Sequence, residues 1–313
     1  MLKRMLKRLA ISAVAFVALL SACAAPPPAR APAAAAPAAK FTRPFVISAI
    51  PDQDPEKLNR GYVALTDYLS KELGVPVEYK PVTDYAAVVT AFKVGDVDMV
   101  WFGGLTGVQA RLQVEGAEAI LQRDIDEKFT STFIASKASG IAPVTDAKAL
   151  AAALKGRTFT FGSDSSTSGR LMPQYFMQQG GLALTDLKGE AGFSGSHDKT
   201  IKLVEAGTFE AGALNSQVWA SRVAKGEVDL EKVQVIWQSP TYYDYHWIIR
   251  PDVAANFGPD FATKLKAAFI QLNADTAEHK DIMGFFGAKK FIETKNDNYA
   301  AIEQIGREIG KIK

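Results

Sequence analysis

The chain is poor in the residues that build covalent or metal-based chemistry, with one cysteine and three histidines among 313 residues. A single thiol excludes an internal disulfide, and so few thiol and imidazole groups leave a zinc site of the usual kind poorly supplied. Net charge is also small, 36 Lys and Arg standing against 34 Asp and Glu. Four of those cations, Lys3, Arg4, Lys7 and Arg8, crowd the N-terminus, and without them the balance turns to 32 against 34. No basic surface is left to attract nucleic acid, so an anion would have to be held by local dipoles rather than by a global field. The apolar stretch at residues 9–20 falls short of the ~20 residues that a membrane-spanning helix needs. A Gly-x-Ser-x-Gly elbow is missing from the most serine-rich segment, Gly162-Ser-Asp-Ser-Ser-Thr-Ser-Gly169, which weakens a serine hydrolase reading.

What is present begins with a charged, then apolar, then small-residue leader, the three zones of an export signal. It ends in Leu20-Ser21-Ala22-Cys23, which resembles the lipobox of bacterial lipoproteins. That resemblance implies a signal peptide over residues 1–22, acylation of Cys23 as the mature N-terminus, and anchorage in the cell envelope. Residues 23–40 are nearly all Ala and Pro and cannot build a core. As an extended tether at ~3.1 Å per residue they would hold a globule roughly 50 Å from the membrane.

From residue 41 the pattern alternates. Extended, apolar segments at 45–50, 77–81, 97–102, 158–161, 211–214 and 233–238 are separated by amphipathic stretches at 54–73, 84–93, 145–154, 169–180 and 199–206. Such a βαβ series predicts parallel sheets covered by helices, with ligands bound at the carboxyl ends of the strands. Segments 119–121 and 130–136 continue as strands with no clear helix between them.

The segment that says most is Phe159-Thr-Phe-Gly-Ser-Asp-Ser-Ser-Thr-Ser-Gly169. A short strand runs into a loop of hydroxyls that opens a helix, and free N–H groups, the helix dipole and the hydroxyls of Ser166, Thr167 and Ser168 would converge on one small volume. The plain alternative is a capped helix start. One cap needs one hydroxyl, and four in a row point to an anion. Other polar strand ends are Thr83-Asp84-Tyr85, Trp101-Phe102-Gly103-Gly104, Gly195-Ser196-His197-Asp198 and Asn215-Ser216-Gln217. Gly103 and Gly104 would let backbone N–H groups approach an anion. Tyr85, Trp101 and Phe102 also suit a core, His197 a solvated turn, and Tyr242, Tyr243, Tyr245 and Trp247 hinge packing rather than a cation cage.

Five motifs in order, Asp84-Tyr85-Ala86, Val97-Asp98 to Trp101-Phe102-Gly103, Ser166-Thr167-Ser168-Gly169, Gly195-Ser196-His197 and Ser239-Pro240, resemble the phosphonate and phosphite binding components of ABC importers. Ser-Ala-Ile-Pro-Asp at 48–52 and Tyr-Tyr-Asp-Tyr at 242–245 look most like a selenate-binding branch of that group. The resemblance implies an α/β fold of the type II periplasmic-binding-protein kind, two lobes joined by two crossover strands with the ligand clamped at the hinge. The lobes are expected at 41–135 with 246–313, and at 136–245, the crossovers falling at 129–137 and 242–250. It further implies an exported, monomeric protein that needs no cofactor or metal and escorts a small oxyanion to a permease and ATPase complex. By position the ligand shell becomes Ser166, Thr167, Ser168, Tyr85 and His197, with Asp244 as a carboxylate and Asn215 and Tyr242 nearby. Two positions depart from the family: Gln217 stands where a tail-binding carboxylate is expected, and Phe129 where a tyrosine is. A neutral Gln217 favours a fully deprotonated anion such as selenate or sulfate over an aminoalkylphosphonate. An organic sulfonate, an aminoalkylphosphonate or a cationic amine remains the alternative ligand, and a serine hydrolase the alternative class.

Overall fold

The computed structural model describes residues 41–273 and 276–313; the leader, Cys23 and the Ala/Pro tether lie outside them. Within Phe41–Lys313, eleven strands are described: β1 (Phe45–Ala49), β2 (Val77–Tyr79), β3 (Met99–Phe102), β4 (Glu118–Arg123), β5 (Ser131–Ser136), β6 (Phe159–Phe161), β7 (Gly192–Phe193), β8 (Ala211–Asn215), β9 (Val233–Gln238), β10 (His246–Ile249) and β11 (Phe291–Glu293). They form a six-stranded sheet in the order β11-β4-β10-β3-β1-β2 and a five-stranded sheet in the order β7-β6-β8-β5-β9.

Each sheet has a parallel part built by βαβ units. In the first lobe β1 pairs in parallel with both β2 and β3; in the second, β6 pairs in parallel with β7 and β8. The crossover helices start where the sequence supplies caps. Asp54 accepts from Glu56 N–H and Lys57 N–H ahead of the helix Pro55–Leu73, Asp84 from Ala87 N–H ahead of Tyr85–Val94, and Ser196 from Lys199 N–H ahead of His197–Glu205. Each cap satisfies an orphan donor of the first turn and fixes which strand end the helix springs from.

The chain leaves the first sheet after β4 and returns to it at β10, and both sheets are completed by antiparallel pairs, β5 with β8 and β9, and β10 with β3 and β4. The crossovers themselves pair once: Phe129 and Tyr242 exchange N–H···O bonds of 2.9 Å in each direction. This bridge lies where the chain passes between the two sheets. The expected crossovers at 129–137 and 242–250 are therefore too long, because residues 131–136 are the β5 strand in the second sheet and 246–249 a strand inside the first. The expected lobe division at 135/136 leaves most of β5 on the wrong side. The strand expected at 130–136 is present and every residue of it is buried; its pairing with β8 and β9 is what assigns it to the second sheet.

Candidate functional site

The hydroxyl loop follows β6, its ends tied by Gly162 N–H donating to Gly169 O at 2.9 Å. The helix expected from residue 169 starts earlier and wider. Leu171 N–H reaches back five residues to Ser166 O at 3.0 Å, and a regular helix follows only over Met172–Gln179. Such a widened turn re-aims side chains that an ordinary helix start would stack.

The three hydroxyls do different work. Ser166 Oγ accepts from Gly169 N–H at 2.9 Å as the N-cap. Thr167 Oγ1 accepts from Leu105 N–H at 2.9 Å, across the cleft from the helix Gly104–Arg111. Ser168 Oγ is buried with no hydrogen-bond partner among the described residues, while Ser168 O accepts from Ser131 Oγ at 2.8 Å. The Tyr242 hydroxyl meets Ser131 Oγ at 2.7 Å and stands near enough to Ser168 for that hydroxyl to favour its ionised form.

Gly103 and Gly104 approach an anion, but that anion is a side chain of the protein. Gly104 N–H donates to Asp244 Oδ1 at 2.9 Å. A Cβ on Gly103 would lie 3.1 Å from Thr167 Oγ1 and 3.3 Å from Asp244 Oδ1, so the bare backbone is what admits both. Asp244 Oδ2 is buried and unpartnered among the described residues, and so is the hydroxyl of Tyr85, at the first turn of its helix. Burial pushes the Asp244 carboxyl up to about 7 against the Gly104 N–H that it accepts, with Asp126 adding to the rise. Burial, then Asp52 and Asp244, raise the Tyr85 phenol well above its ordinary value, so it stays a neutral donor.

His197 is brought to the loop from behind, its Cε1 3.1 Å from where a Cβ on Gly169 would stand. Both ring nitrogens have partners. Asn215 N–H donates to Nδ1 at 3.4 Å, which leaves the proton on Nε2 to face the Tyr245 hydroxyl at 3.3 Å. Tyr245 Oη also accepts from Asn215 Nδ2 at 3.0 Å and donates to Asp52 Oδ2 at 2.8 Å. Burial lowers His197 to about 4, so the ring is neutral at physiological pH, and burial raises Asp52 to about 6.

Gln217 adjoins this group, its N–H donating to Asn215 Oδ1 at 2.7 Å, but its side chain is turned to other partners. Nε2 donates to Phe286 O at 3.0 Å and Gly287 O at 2.6 Å, and Oε1 accepts from Arg123 Nη1. Gly287 has a φ of 62°, and a Cβ there would collide with Gln217 Nε2, so glycine permits the contact twice over. With both amide hydrogens engaged, Gln217 offers no donor to a ligand in this arrangement. It lines a second chamber of about 50 Å³ together with Asp52, Lys57, Arg123 and Tyr245.

The lobes are closed on each other. Besides Leu105 N–H to Thr167, His197 N–H donates to Asp52 O at 3.0 Å, Asp54 N–H to Asp198 Oδ2 at 3.0 Å, and Lys311 Nζ to both Asp164 oxygens at 2.6 Å. Sequence reasoning did not assign Asp52, Tyr245 or Arg123 to the site. Asp52 and Tyr245 lie inside quoted motifs, and a carboxylate flanked by tyrosines at 242–245 was the available signal. Arg123 had only an acid three residues on, Asp126, to mark it.

A family model described as "ABC transporter, phosphonate, periplasmic substrate-binding protein" matches residues 47–299. The chain is 45% identical over 276 residues to the probable ABC transporter phosphite binding protein PhnD1 of Prochlorococcus marinus (strain MIT 9301), covering 87% of this chain and 93% of that protein. It is 28% identical over 250 residues to the phosphate-import protein PhnD of Mycolicibacterium smegmatis, covering 74% and 72%. Among solved structures, PhnD1 of Prochlorococcus marinus in complex with methylphosphonate superposes with a TM-score of 0.84 at 44% identity, over 86% of this chain and 98% of that one. The Escherichia coli aliphatic sulphonate binding protein SsuA, at 13% identity and a TM-score of 0.55, shares the fold.

Proposed function

The chain belongs to the phosphonate-type periplasmic substrate-binding family of ABC transporters, and from that premise we propose that it captures a small tetrahedral oxyanion carrying an exchangeable proton, of the phosphite or methylphosphonate kind. The observation that carries this reading is Asp244 Oδ2, buried and unpaired on a carboxyl pushed up to about 7, beside the hydroxyl loop. The unpartnered hydroxyls of Ser168 and Tyr85 supply donors to ligand oxygens. Asp244 accepts a proton from a protonated oxyanion, or donates its own to a deprotonated one. An ionised Asp244 against a dianion with no proton to share would repel it. Above about pH 7, where Asp244 is ionised, this disfavours selenate and sulfate, and the argument for them from a neutral Gln217 weakens because its amide is engaged by Phe286, Gly287 and Arg123. The names of the relatives, which mention phosphite and methylphosphonate, agree with a small protonatable ligand. Binding is favoured over hydrolysis because His197 is held by Asn215 and Tyr245 rather than by a serine hydroxyl.

The loaded protein would present its ligand to a permease and ATPase complex, tethered to the envelope through acylated Cys23. Titration calorimetry with phosphite, methylphosphonate, aminoethylphosphonate, phosphate, sulfate and selenate tests the ligand class. Phosphite or methylphosphonate should bind tightest, and at a pH above about 8, where ligand and Asp244 are both deprotonated when free, the shared proton has to come from solvent and the heat should depend on the ionisation enthalpy of the buffer. Selenate or sulfate binding as tightly, with no such dependence, would remove the basis of the reading.

A further inference from the structure

Asp244 is held at both its carboxyl and its main-chain carbonyl. Gly104 N–H, at the start of the helix Gly104–Arg111, takes Oδ1, and Thr167 of the hydroxyl loop stands near enough to favour the ionised carboxyl. The main-chain oxygen lies two residues before β10 begins, outside the sheet ladder. It meets Nδ1 of His246 at 2.9 Å instead. A carbonyl oxygen can only accept, so Nδ1 carries the proton and Nε2 is the bare nitrogen of a neutral ring. Burial, with Arg111 adding to the effect, lowers His246 to about 3 and keeps the ring uncharged.

The ring is seated as well as bonded. It stacks on Tyr299 with centroids 3.7 Å apart, and Tyr299 donates its own hydroxyl to Gln122 Oε1 at 3.1 Å. On the other side is the helix that holds the Asp244 carboxyl. A Cβ on Gly107 would stand 2.4 Å from His246 Nε2 and 3.0 Å from Ile248 Cδ1, so glycine is what admits the ring. Two parts of this seat are unfavourable in themselves. Glycine in a helix interior is destabilising relative to alanine, and Nε2 is buried with no partner among the described residues, a penalty that an apolar side chain of similar volume would not carry. Packing alone therefore does not call for an imidazole here, whereas the bond to the Asp244 carbonyl does.

We propose that His246 is a positioning residue for oxyanion binding: it fixes the Asp244 main chain against the helix Gly104–Arg111 and so keeps the Asp244 carboxyl beside the hydroxyl loop. The inference rests on the reading of Asp244 as a ligand group, and extends the site to a side chain that does not touch the ligand.

Titration calorimetry with methylphosphonate, together with thermal melts, separates the donor from the packing. His246→Asn keeps an N–H at the Nδ1 position and gives up the ring; His246→Leu keeps the volume and gives up the donor. Positioning predicts crossed orders. His246→Leu should melt higher than His246→Asn yet bind about 10-fold more weakly than the wild type, while His246→Asn binds within about 3-fold of it. Gly107→Ala leaves His246 in place but drives the ring from its seat, and should also weaken binding by about 10-fold. That loss should be absent when Gly107→Ala is added to His246→Asn, whose side chain stops short of Nε2. Should His246→Leu not fold, the Gly107→Ala pair decides alone. Affinity that follows melting temperature, with His246→Asn the weaker binder, overturns the proposal, and so does wild-type affinity in His246→Leu and Gly107→Ala. Asp244→Ala separates the two levels: wild-type binding in that variant overturns the reading of Asp244 itself, whereas a loss there beside unchanged binding in the His246 variants overturns the positioning alone.

Discussion

Asp126 and Asp244 are two buried carboxylates of the hinge region, and Asp244 N–H donates to Asp126 O at 3.2 Å. Their surroundings could hardly differ more. Asp126 accepts from Arg123 N–H at 2.9 Å, from Nε at 2.8 Å and from Nη2 at 2.6 Å. Arg123 is further enclosed by the rings of Trp101, Phe129 and Tyr245. Burial works against its charge, but Asp126 outweighs burial and the guanidinium is raised. Asp244 has one backbone donor and one oxygen with none among the described residues. A buried charge that is fully paired belongs to the architecture, whereas one left half paired against a polar pocket is poised for a ligand.

Breaking the architectural member should cost most. Asp126→Ala strands the Arg123 cation in the hinge and should lower stability by about 3–5 kcal/mol, the usual loss when one partner of a buried pair is removed. Urea denaturation reads this directly, and an unchanged midpoint would mean that water or Gln217 already satisfies Arg123.

Asp244→Asn should act through pH instead. A carboxyl raised from 3.8 to about 7 binds its proton more tightly in the folded state. Its contribution to stability is therefore complete at low pH and falls as pH rises through about 7. His197 and His246 run the other way, lowered by burial from 6.5 to about 4 and about 3, so their contribution falls as pH drops below 6.5. The total profile mixes these opposed slopes. Subtracting the melting-temperature profile of Asp244→Asn from that of the wild type isolates the carboxyl, and the difference should favour the wild type at low pH and shrink toward neutrality. A flat difference would mean that Asp244 is ionised throughout.

The same contrast recurs within the hydroxyl loop on a smaller scale. Ser168→Ala should weaken oxyanion binding by about 1.5–3 kcal/mol, the range for a hydrogen bond to a charged group, with stability unchanged. Ser166→Ala removes the cap from Gly169 N–H and should cost about 1 kcal/mol of stability. Calorimetry and thermal melts on the pair separate the roles, and exchanged outcomes would reverse the assignment of the two serines.

What could be read from the sequence was what is local. The hydroxyl run, the capping residues Asp54, Asp84 and Ser196, and the alternation of strand with helix all depend on neighbours within a few residues. Tyr85, Ser168 and Asp244 could be singled out as candidates because they sit in or beside a familiar order of motifs. The network of His197, Asn215, Tyr245 and Asp52 was not, because it joins residues up to 193 positions apart. Gln217 was read as a ligand residue from its position after β8, but the adjacent glycine backbone at Gly287, 70 residues on, takes its amide. The segment 130–136 was legible as a strand, but its sheet was not, because which strands β5 pairs with depends on β8 and β9, some 80 to 100 residues on.

The weakest closure to break is the one at the C-terminus. Lys311 Nζ lies 2.6 Å from both oxygens of Asp164, a residue of the hydroxyl loop, and its own backbone is held to the first lobe where Gln109 Nε2 donates to Lys311 O at 2.9 Å. The pair thus spans the cleft and exists only when the lobes meet. Asp164 is 56% exposed, so solvent screens the attraction and the pair should add less than about 1 kcal/mol to the closed form. Lys311→Met should therefore speed ligand release by no more than about 5-fold. It should appear in dissociation and not in association, and it should fade with added salt as a surface pair must. Faster release that survives high salt would mean that the aliphatic stem of Lys311, rather than its charge, packs the cleft shut. A slower association with release unchanged would mean that Lys311 acts on ligand entry rather than on the closed form.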